Sequence, residues 1–263
     1  MVRAKMNIVV CVKQVPDIDD IKWTKENNLD RSAMLSKINP QDEYALDWAV
    51  NIKSKFKDVK VCAISMGPIQ AKEVLNLALA KGADRAILLS DKAFSGSDTL
   101  VTAKILAEAI KKYLSDFSII ITGHLACDGD TAQVPVSIAQ LLNIPDAIGV
   151  DEIFNADKNV ALVSQKQGNE INIFELVNPC LVAVKKECKE KSIPKIDDYI
   201  RAQNRGVEVY NAQDLGFEKN QVGVIGSPTM VAKAYKPEVN KQTVEIEEDY
   251  VSKLAELLLK ARL

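Results

Sequence analysis

Short aliphatic runs alternate with helix-like segments through the first half of the chain, and this alternation constrains the fold most. The aliphatic runs are Met6–Lys13, Val59–Met66, Arg85–Ser90 and Ser118–Thr122. The helix-like segments are Pro40–Phe56, Gln70–Lys81, Ser97–Leu114 and Thr131–Leu142. Such runs are typical of strands buried on both faces of a parallel sheet. The alternation therefore predicts an α/β, Rossmann-like domain with helices on both faces and right-handed crossovers.

Residues typical of helix ends support two of these boundaries. Asn39 suits an N-cap, Pro40 suits the first helical position, and Asp42 and Glu43 lie where acidic side chains favour a first turn. Gly82 is placed to end the second helix.

The pattern changes after Gly149. Asp151–Lys186 contains several short extended runs, with plausible hairpin turns at Asn155–Asn159 and Gly168–Asn169. We expect antiparallel strands added to the sheet here.

The last third of the chain, from Glu187, is more polar and shows no evident core strand. Within it, only Asp249–Leu263 shows helical periodicity, with apolar residues on one face of an amphipathic helix. We predict a nucleotide-binding domain over residues 1–186 and an arm over residues 187–263 that packs on a partner subunit. The alternative is that the arm folds back on its own domain.

Composition excludes several classes of function. The net charge of −2 does not favour nucleic acid or membrane surfaces, and no apolar run approaches the roughly 20 residues that a membrane helix needs. Met1–Lys5 is basic, but no cleavage site follows it, so we expect a cytoplasmic protein. Five cysteines without a CxxC pair, and a single histidine, predict no metal site.

Four turns follow the predicted strands, at the edge of a parallel sheet where ligands bind. They are Lys13–Asp17, Ser65–Pro68, Asp91–Asp98 and Gly123–Gln133. No G-x-G-x-x-G or Walker loop is present, and no Ser-His-Asp order or nucleophile elbow stands out. The chain therefore resembles a cofactor holder more than a hydrolase, and no catalytic residue is predicted.

The turn Gly123–Gln133, GHLACDGDTAQ, is the most informative of the four. Backbone N–H groups at the following helix start can hold a phosphate, and Gly129 permits close approach of a ligand. Thr131 and Gln133 are neutral donors suited to phosphate oxygens. Asp128 and Asp130 would repel a phosphate unless they cap N–H groups, contact ribose hydroxyls or hold a cation; capping by Asp130 is one such role.

Motifs in this order and spacing resemble the β subunit of electron-transferring flavoproteins from about Met6 to Lys186. They are CVKQVPD (Cys11–Asp17), INPQDEYALDWA (Ile38–Ala49), SMGP (Ser65–Pro68), LALAKGADRAILLSD (Leu77–Asp91), FSGSDTLVTAKILA (Phe94–Ala107) and DGDTAQV (Asp128–Val134). The resemblance implies a domain of that family's adenine-nucleotide-binding topology, paired with a homologous α subunit that holds one FAD between the chains.

The family's nucleotide contacts imply a set of site residues in this chain. They carry over to Cys11, Asn39, Pro40, Gln41, Asp42, Met66, Asp128, Gly129, Asp130, Thr131, Ala132, Gln133 and Val134. Gly67 and Gly123, in the turns after two strands, complete the predicted set. Lys13, in the Lys13–Asp17 turn, and Phe94, in the Phe94–Ser97 loop, are hypothesised to contact an isoalloxazine ring.

The family has two branches. Some members hold AMP in this subunit and shuttle single electrons from a dehydrogenase. In electron-bifurcating members the same pocket holds a second FAD that accepts a hydride from NADH; one electron passes to ferredoxin or flavodoxin and the other to a partner dehydrogenase. The sequences VKQVPD and DGDTAQV resemble those of the bifurcating branch more than those of the other branch. We therefore expect FAD here, with AMP as the alternative. The alternative from a different class of function is a non-redox module that binds an adenine nucleotide.

Two departures from the family pattern bear on function. Pro135-Val136 replaces the usual Gly-Pro, so one potential phosphate donor is missing, because proline lacks an N–H. Lys189–Ile193 replaces the family's Asn-Glu-Pro-Arg-Tyr docking loop, which suggests a different or more permanently bound partner. Acyl-CoA and 2-hydroxy-acid dehydrogenases both fit.

Overall fold

The computed structural model describes residues 6–17, 36–230 and 249–260. Met1–Lys5, and the last three residues of the helix predicted over Asp249–Leu263, lie outside the described residues.

The strands and helices follow in this order along the chain. The strands are β1 Met6–Cys11, β2 Gln14–Pro16, β3 Ser36–Ile38, β4 Val59–Met66, β5 Arg85–Leu89, β6 Ile119–Gly123, β7 Asp146–Val150, β8 Glu152–Ala156, β9 Val160–Gln167, β10 Glu170–Val177, β11 Cys180–Val184 and β12 Glu208–Tyr210. The helices are α1 Pro40–Lys55, α2 Lys72–Lys81, α3 Thr99–Tyr113, α4 Val134–Leu142, α5 Ile196–Arg205, α6 Gly223–Gly226 and α7 Tyr250–Lys260.

The central sheet confirms the predicted fold class. Seven strands lie in the order β12-β5-β4-β1-β6-β11-β7, and all of their pairings are parallel. The four strands predicted in the first half are all in it, within two residues of their predicted ends. Helices cover both faces, as the uninterrupted aliphatic runs require, because such strands must be buried on each side.

The core consists of two apolar layers separated by this sheet. Along β1, Ile8 and Val10 pack in the layer that contains α1 and α2, while Val9 packs in the layer that contains α3 and α4. The alternation follows from strand geometry, since successive side chains point to opposite faces. These residues are almost completely buried.

The antiparallel strands form a sheet of their own. β8, β9 and β10 pair as two hairpins whose turns lie where Asn155–Asn159 and Gly168–Asn169 predicted them. Instead of extending the central sheet, they pack on it through contacts of β9 with β7. β11, from the same predicted stretch, runs parallel between β6 and β7, because its five residues are all buried and need neighbours on both sides.

A short strand lies in the part of the chain where none was predicted. β12 pairs in parallel with β5 at the edge of the central sheet. Arg85 donates to both carboxylate oxygens of Glu208, at 2.6 and 2.7 Å, and the Tyr113 and Tyr210 rings stack at 4.0 Å. These distant contacts hold a three-residue strand that has too little apolar sequence to be recognised on its own.

The start of the predicted arm is held against α1 and α2 by buried polar contacts. Lys81 donates to Asp47 at 2.9 Å and to Glu43 at 2.7 Å. The Lys81 and Asp47 side chains are only 4% and 3% exposed. Ser192 closes the cluster, since its N–H donates to Asp47 and its hydroxyl donates to the Lys81 carbonyl. Residues 188–192 are therefore fixed to the domain, whereas the apolar face of α7 is exposed.

Replacing Lys81 by methionine should destabilise the protein by about 3–5 kcal/mol, because Asp47 is then a buried charge without its cation. The double variant K81M/D47N should recover part of this loss. Lys60→Met, at an exposed ion pair with Asp84, is the control and should cost less than about 1 kcal/mol. Urea unfolding measures all three; equal effects of K81M and K60M would contradict the proposed importance of the cluster.

Candidate functional site

A cavity of about 570 Å³ lies at the carboxyl edge of the central sheet. Its floor contains the ends of β1 and β6, with Cys11, Val12 and Lys13 from one strand and Thr122 and Gly123 from the other. The chain leaves β1 toward β4 on one side and returns to β6 on the other, so the strand order reverses between β1 and β6. Open α/β sheets bind ligands at such a switch point. The volume is that of a typical small-molecule site.

The first turn of α1 joins these two strand ends. The Asp42 carboxylate accepts hydrogen bonds from the Lys13 N–H at 2.8 Å and from the Gly123 N–H at 3.2 Å. Gly123 is required here, because a Cβ would lie 2.3 Å from Asp42 Oδ1. Burial raises the pKa of Asp42 to about 7, although the hydrogen bonds from the two backbone N–H groups lower it.

Asn39 occupies the N-cap position of α1, as predicted, but its side chain makes no capping hydrogen bond. Its Nδ2 donates to the Leu125 carbonyl at 2.9 Å, and its Oδ1 accepts from the Cys127 N–H at 3.1 Å. Gln41 adds a bond from the Leu125 N–H to its Oε1 at 3.0 Å. The loop after β6 has buried backbone groups that need partners, and Asn39 is used to pair them. The motif around Asn39 therefore shapes the site through the neighbouring loop.

The helix after this loop begins later than predicted. α4 starts at Val134, because Asp130 and Ala132 have φ values of 48° and 53°, which a helix does not admit. Asp130 is accordingly not the N-cap; that position is Gln133, whose side chain accepts from the Thr99 hydroxyl at 2.7 Å. The first turn of α4 has no side-chain cap, and it lies on the cavity wall. Its N–H groups suit an anion, with Pro135 contributing none.

Charge and space in the loop also suit a phosphate-bearing ligand. Lys13 Nζ lies 2.7 and 2.8 Å from the two Asp128 carboxylate oxygens, so this cation offsets the charge that would repel an anion. A Cβ at Gly129 would meet no protein atom within 4 Å, which leaves open space beside the backbone for a ligand.

Two titratable side chains on the cavity wall are held neutral by burial. Burial raises the pKa of the Cys11 thiol, with Asp42 adding to the effect, and burial together with Lys185 lowers the pKa of His124. His124 Nδ1 is buried without a hydrogen-bond partner among the described residues.

The cavity brings together residues from turns far apart in sequence. Of the predicted site residues, those that line it are Cys11, Lys13, Asp42, Met66, Gly123, Gly129, Thr131, Ala132, Gln133 and Val134. Seven predicted site residues are not in the cavity lining: Asn39, Pro40, Gln41, Gly67, Phe94, Asp128 and Asp130. Of these, Asn39, Gln41 and Asp128 are hydrogen-bonded to lining residues, whereas Phe94 is buried in the core layer of α3 and α4. Asp42 thus lines the cavity directly, whereas Asn39 acts on it through the loop after β6.

Sequence reasoning missed part of the wall. Thr99 and Thr102, in the first turn of α3, line the cavity, as does Thr229 from the predicted arm. The two α3 threonines follow the turn after β5, so their position at the same sheet edge was a usable signal. Thr229 had no such signal, because its place depends on contacts across the fold.

Within the described ranges, no helix has both the length and the apolar character needed to cross a membrane. No group of three or more His, Cys, Asp or Glu side chains in those ranges could hold a metal ion.

Comparison with known proteins places this chain in one class, that of electron transfer flavoproteins. Residues 28–215 match the electron transfer flavoprotein domain family. The chain is 40% identical over 239 residues to the electron transfer flavoprotein subunit beta of Thermoanaerobacterium thermosaccharolyticum, with 90% of each chain covered. The chain therefore belongs to the electron transfer flavoprotein family and is a β subunit of it.

Two further relatives show the breadth of this similarity. The caffeyl-CoA reductase-Etf complex subunit CarD of Acetobacterium woodii is 37% identical over 233 residues, with 88% of each chain covered. The protein FixA of Azotobacter vinelandii is 35% identical over 253 residues, covering 94% of this chain and 90% of FixA. A β subunit of this family transfers electrons together with an α subunit and a dehydrogenase.

The buried carboxyl of Asp42 should make stability depend on pH. Between about pH 4 and pH 7 the unfolded chain has released this proton while the folded chain keeps it, so this group stabilises the fold less as pH rises. The unfolding free energy of wild type minus that of Asp42→Asn should fall by up to about 1.4 kcal/mol per pH unit in this window and level off above it. Urea unfolding of nucleotide-free protein measures the difference, and parallel pH curves would contradict it.

Proposed function

We propose that this chain is the β subunit of an electron-bifurcating flavoprotein and that its cavity binds FAD. The observation that carries the proposal is the cavity at the β1/β6 switch point, which is built from the segments that carry the family's motifs. The similarity to CarD, by its name a subunit of a reductase–Etf complex, supports the bifurcating branch.

The cavity residues supply binding and orientation and no acid or base. The uncapped first turn of α4 faces the position suited to the diphosphate, and the Lys13–Asp128 pair reduces negative charge beside it. Neutral His124 and the apolar Met66 and Ile138 complete the wall. When bound, a flavin supplies hydride acceptance and one-electron transfer, so the protein's part is to set position and electrostatics.

The exposed apolar face of α7 supports binding of the α subunit by the C-terminal arm. Val251, Leu254, Leu257 and Leu258 recur at helical spacing and are all exposed. An exposed apolar stripe of this kind is typical of a helix that packs on a partner.

A second exposed apolar surface supports docking of the dehydrogenase. Ile193 is 83% exposed, directly after the segment that Lys81 and Asp47 hold, and Ile196 and Ile200 continue it on α5. Anchoring the backbone beneath exposed isoleucines reduces the entropy lost on docking. The proposed partner is an acyl-CoA or 2-hydroxy-acid dehydrogenase, with NADH as hydride donor and ferredoxin as electron acceptor.

The nucleotide content of the heterodimer tests the cofactor. We expect two FAD and no AMP per heterodimer after co-expression with the α subunit, denaturation and chromatography, and NADH-dependent reduction of ferredoxin. Gly129→Val should remove most of the nucleotide from the cavity without destabilising the empty protein, because the added side chain meets only the open space.

One FAD and one AMP per heterodimer would overturn the bifurcating proposal in favour of the AMP-containing type that shuttles single electrons. A stable, colourless monomer that assembles with no flavin-containing chain would instead indicate the non-redox module.

The arm is tested by placing charge on the apolar face of α7. The double variant L254E/L258E should reduce co-purification of the α subunit at least about tenfold, since burying unpaired carboxylates is costly. Lys253→Glu, which adds acidic charge to the same helix outside the apolar stripe, is the control. Normal assembly of L254E/L258E would show that this face does not bind the α subunit.

A further inference from the structure

We propose that the segment 222–230 completes the wall of the nucleotide cavity through Thr229, and that Ser227 and Thr229 are positioning residues for the bound nucleotide. The inference rests on the proposed function, because it requires a nucleotide in this cavity. It extends the site to a segment beyond all of the family-derived contacts, which end at Val134.

The segment is seated on the loop before α3 with close backbone contact. A Cβ at Gly223 would lie 2.3 Å from the Ala93 carbonyl oxygen, and a Cβ at Gly96 would lie 2.3 Å from Val224 Cγ2. Both glycines have positive φ, at 65° and 73°, so each serves the backbone path as well as the contact. Val222 is buried in the core layer of α3 and α4. The segment is therefore a packed part of the domain.

Hydrogen bonds tie the segment to residues that themselves line the cavity. The Gly223 N–H donates to the Ser97 hydroxyl at 3.1 Å, and the Asp98 N–H donates to the Ser227 hydroxyl at 2.8 Å. The Thr229 N–H and hydroxyl both donate to Asp98 Oδ2, at 3.1 and 2.8 Å. Ser97, Asp98 and Thr229 all line the cavity.

Asp98 links this segment to α3. Its Oδ1 accepts from the Val101 N–H at 3.0 Å and thereby caps the helix, while its Oδ2 accepts from Thr229. Although burial works in the opposite direction, these donors hold the pKa of Asp98 below its ordinary value, so the carboxylate stays charged. One side chain thus fixes both the start of α3, which carries Thr99 and Thr102, and the segment that closes the cavity beside them.

A nucleotide that contacts this wall should stabilise the segment. By the same thermodynamic coupling, a change that loosens the segment should weaken binding of the nucleotide. Thr229→Val removes the hydroxyl bond to Asp98 and should weaken nucleotide binding about tenfold, the scale of one charge-assisted hydrogen bond. Ser227→Ala should weaken it in the same direction. Thr229→Ser keeps the hydroxyl and should recover most of the affinity.

The experiment uses the full chain assembled with its α subunit, with the cavity emptied and then titrated separately with AMP and with FAD by calorimetry. Hydrogen exchange of the 222–230 amides is compared in the empty and loaded states. Loading should slow exchange in wild type, and Thr229→Val should remove most of that slowing. Ser54→Ala, an exposed serine on α1 remote from the cavity, is the control.

This inference alone would be overturned if wild type binds a nucleotide and Thr229→Val binds it equally well. The same holds if wild type binds a nucleotide but hydrogen exchange of residues 222–230 is the same in the empty and loaded proteins. Wild type that binds neither AMP nor FAD would overturn the proposed function and this inference with it. Weaker binding in Thr229→Val, recovery in Thr229→Ser and nucleotide-dependent exchange would establish the wall.

Discussion

The carboxylate of Asp42 joins two strands that are neighbours in the sheet but distant in the chain. It accepts from the backbone at the end of β1 and at the end of β6, where the strand order reverses. Backbone N–H groups that are shielded from water need an acceptor, and Asp42 supplies one for both strand ends. Placing that acceptor on the first turn of α1 also fixes the helix relative to the opening. The cavity exists between β1 and β6 because this turn holds its floor in place.

The same turn determines the loop above the floor. Asn39 and Gln41 pair backbone groups of residues 125–127, and the loop then runs through two left-handed residues before α4 begins. Those two residues delay the helix, so its uncapped first turn faces the cavity. A buried network of this kind favours one conformation, because each unpaired group would cost free energy. The geometry of the candidate site therefore depends on side chains from α1 as much as on the loop itself.

Part of the opposite wall, and several exposed apolar side chains, come from the last third of the chain. Residues 187–230 contribute an edge strand, a helix on α2 and the segment tied to Asp98. These contacts leave apolar residues of α5 at the surface while part of the same stretch reaches the cavity. A residue of the candidate cavity and an exposed apolar surface thus share one stretch of polypeptide, which is physically suited to linking ligand binding with association.

The sequence by itself determined the α/β class, the four strands of the first half, the two hairpin turns and the sheet edge that carries the site. Aliphatic runs and helical periodicity report burial directly, and a parallel sheet leaves few arrangements for such runs. Only the tertiary structure decided the function of Asn39, the start of α4, the edge strand at Glu208–Tyr210 and the place of Thr229. Three of these depend on a partner far away in the chain: Leu125 and Cys127 for Asn39, Arg85 for Glu208, and Asp98 for Thr229. The start of α4 depends on the left-handed conformation of Asp130 and Ala132. The local sequence shows which groups need burial or a hydrogen-bond partner. The tertiary fold decides which distant group becomes that partner.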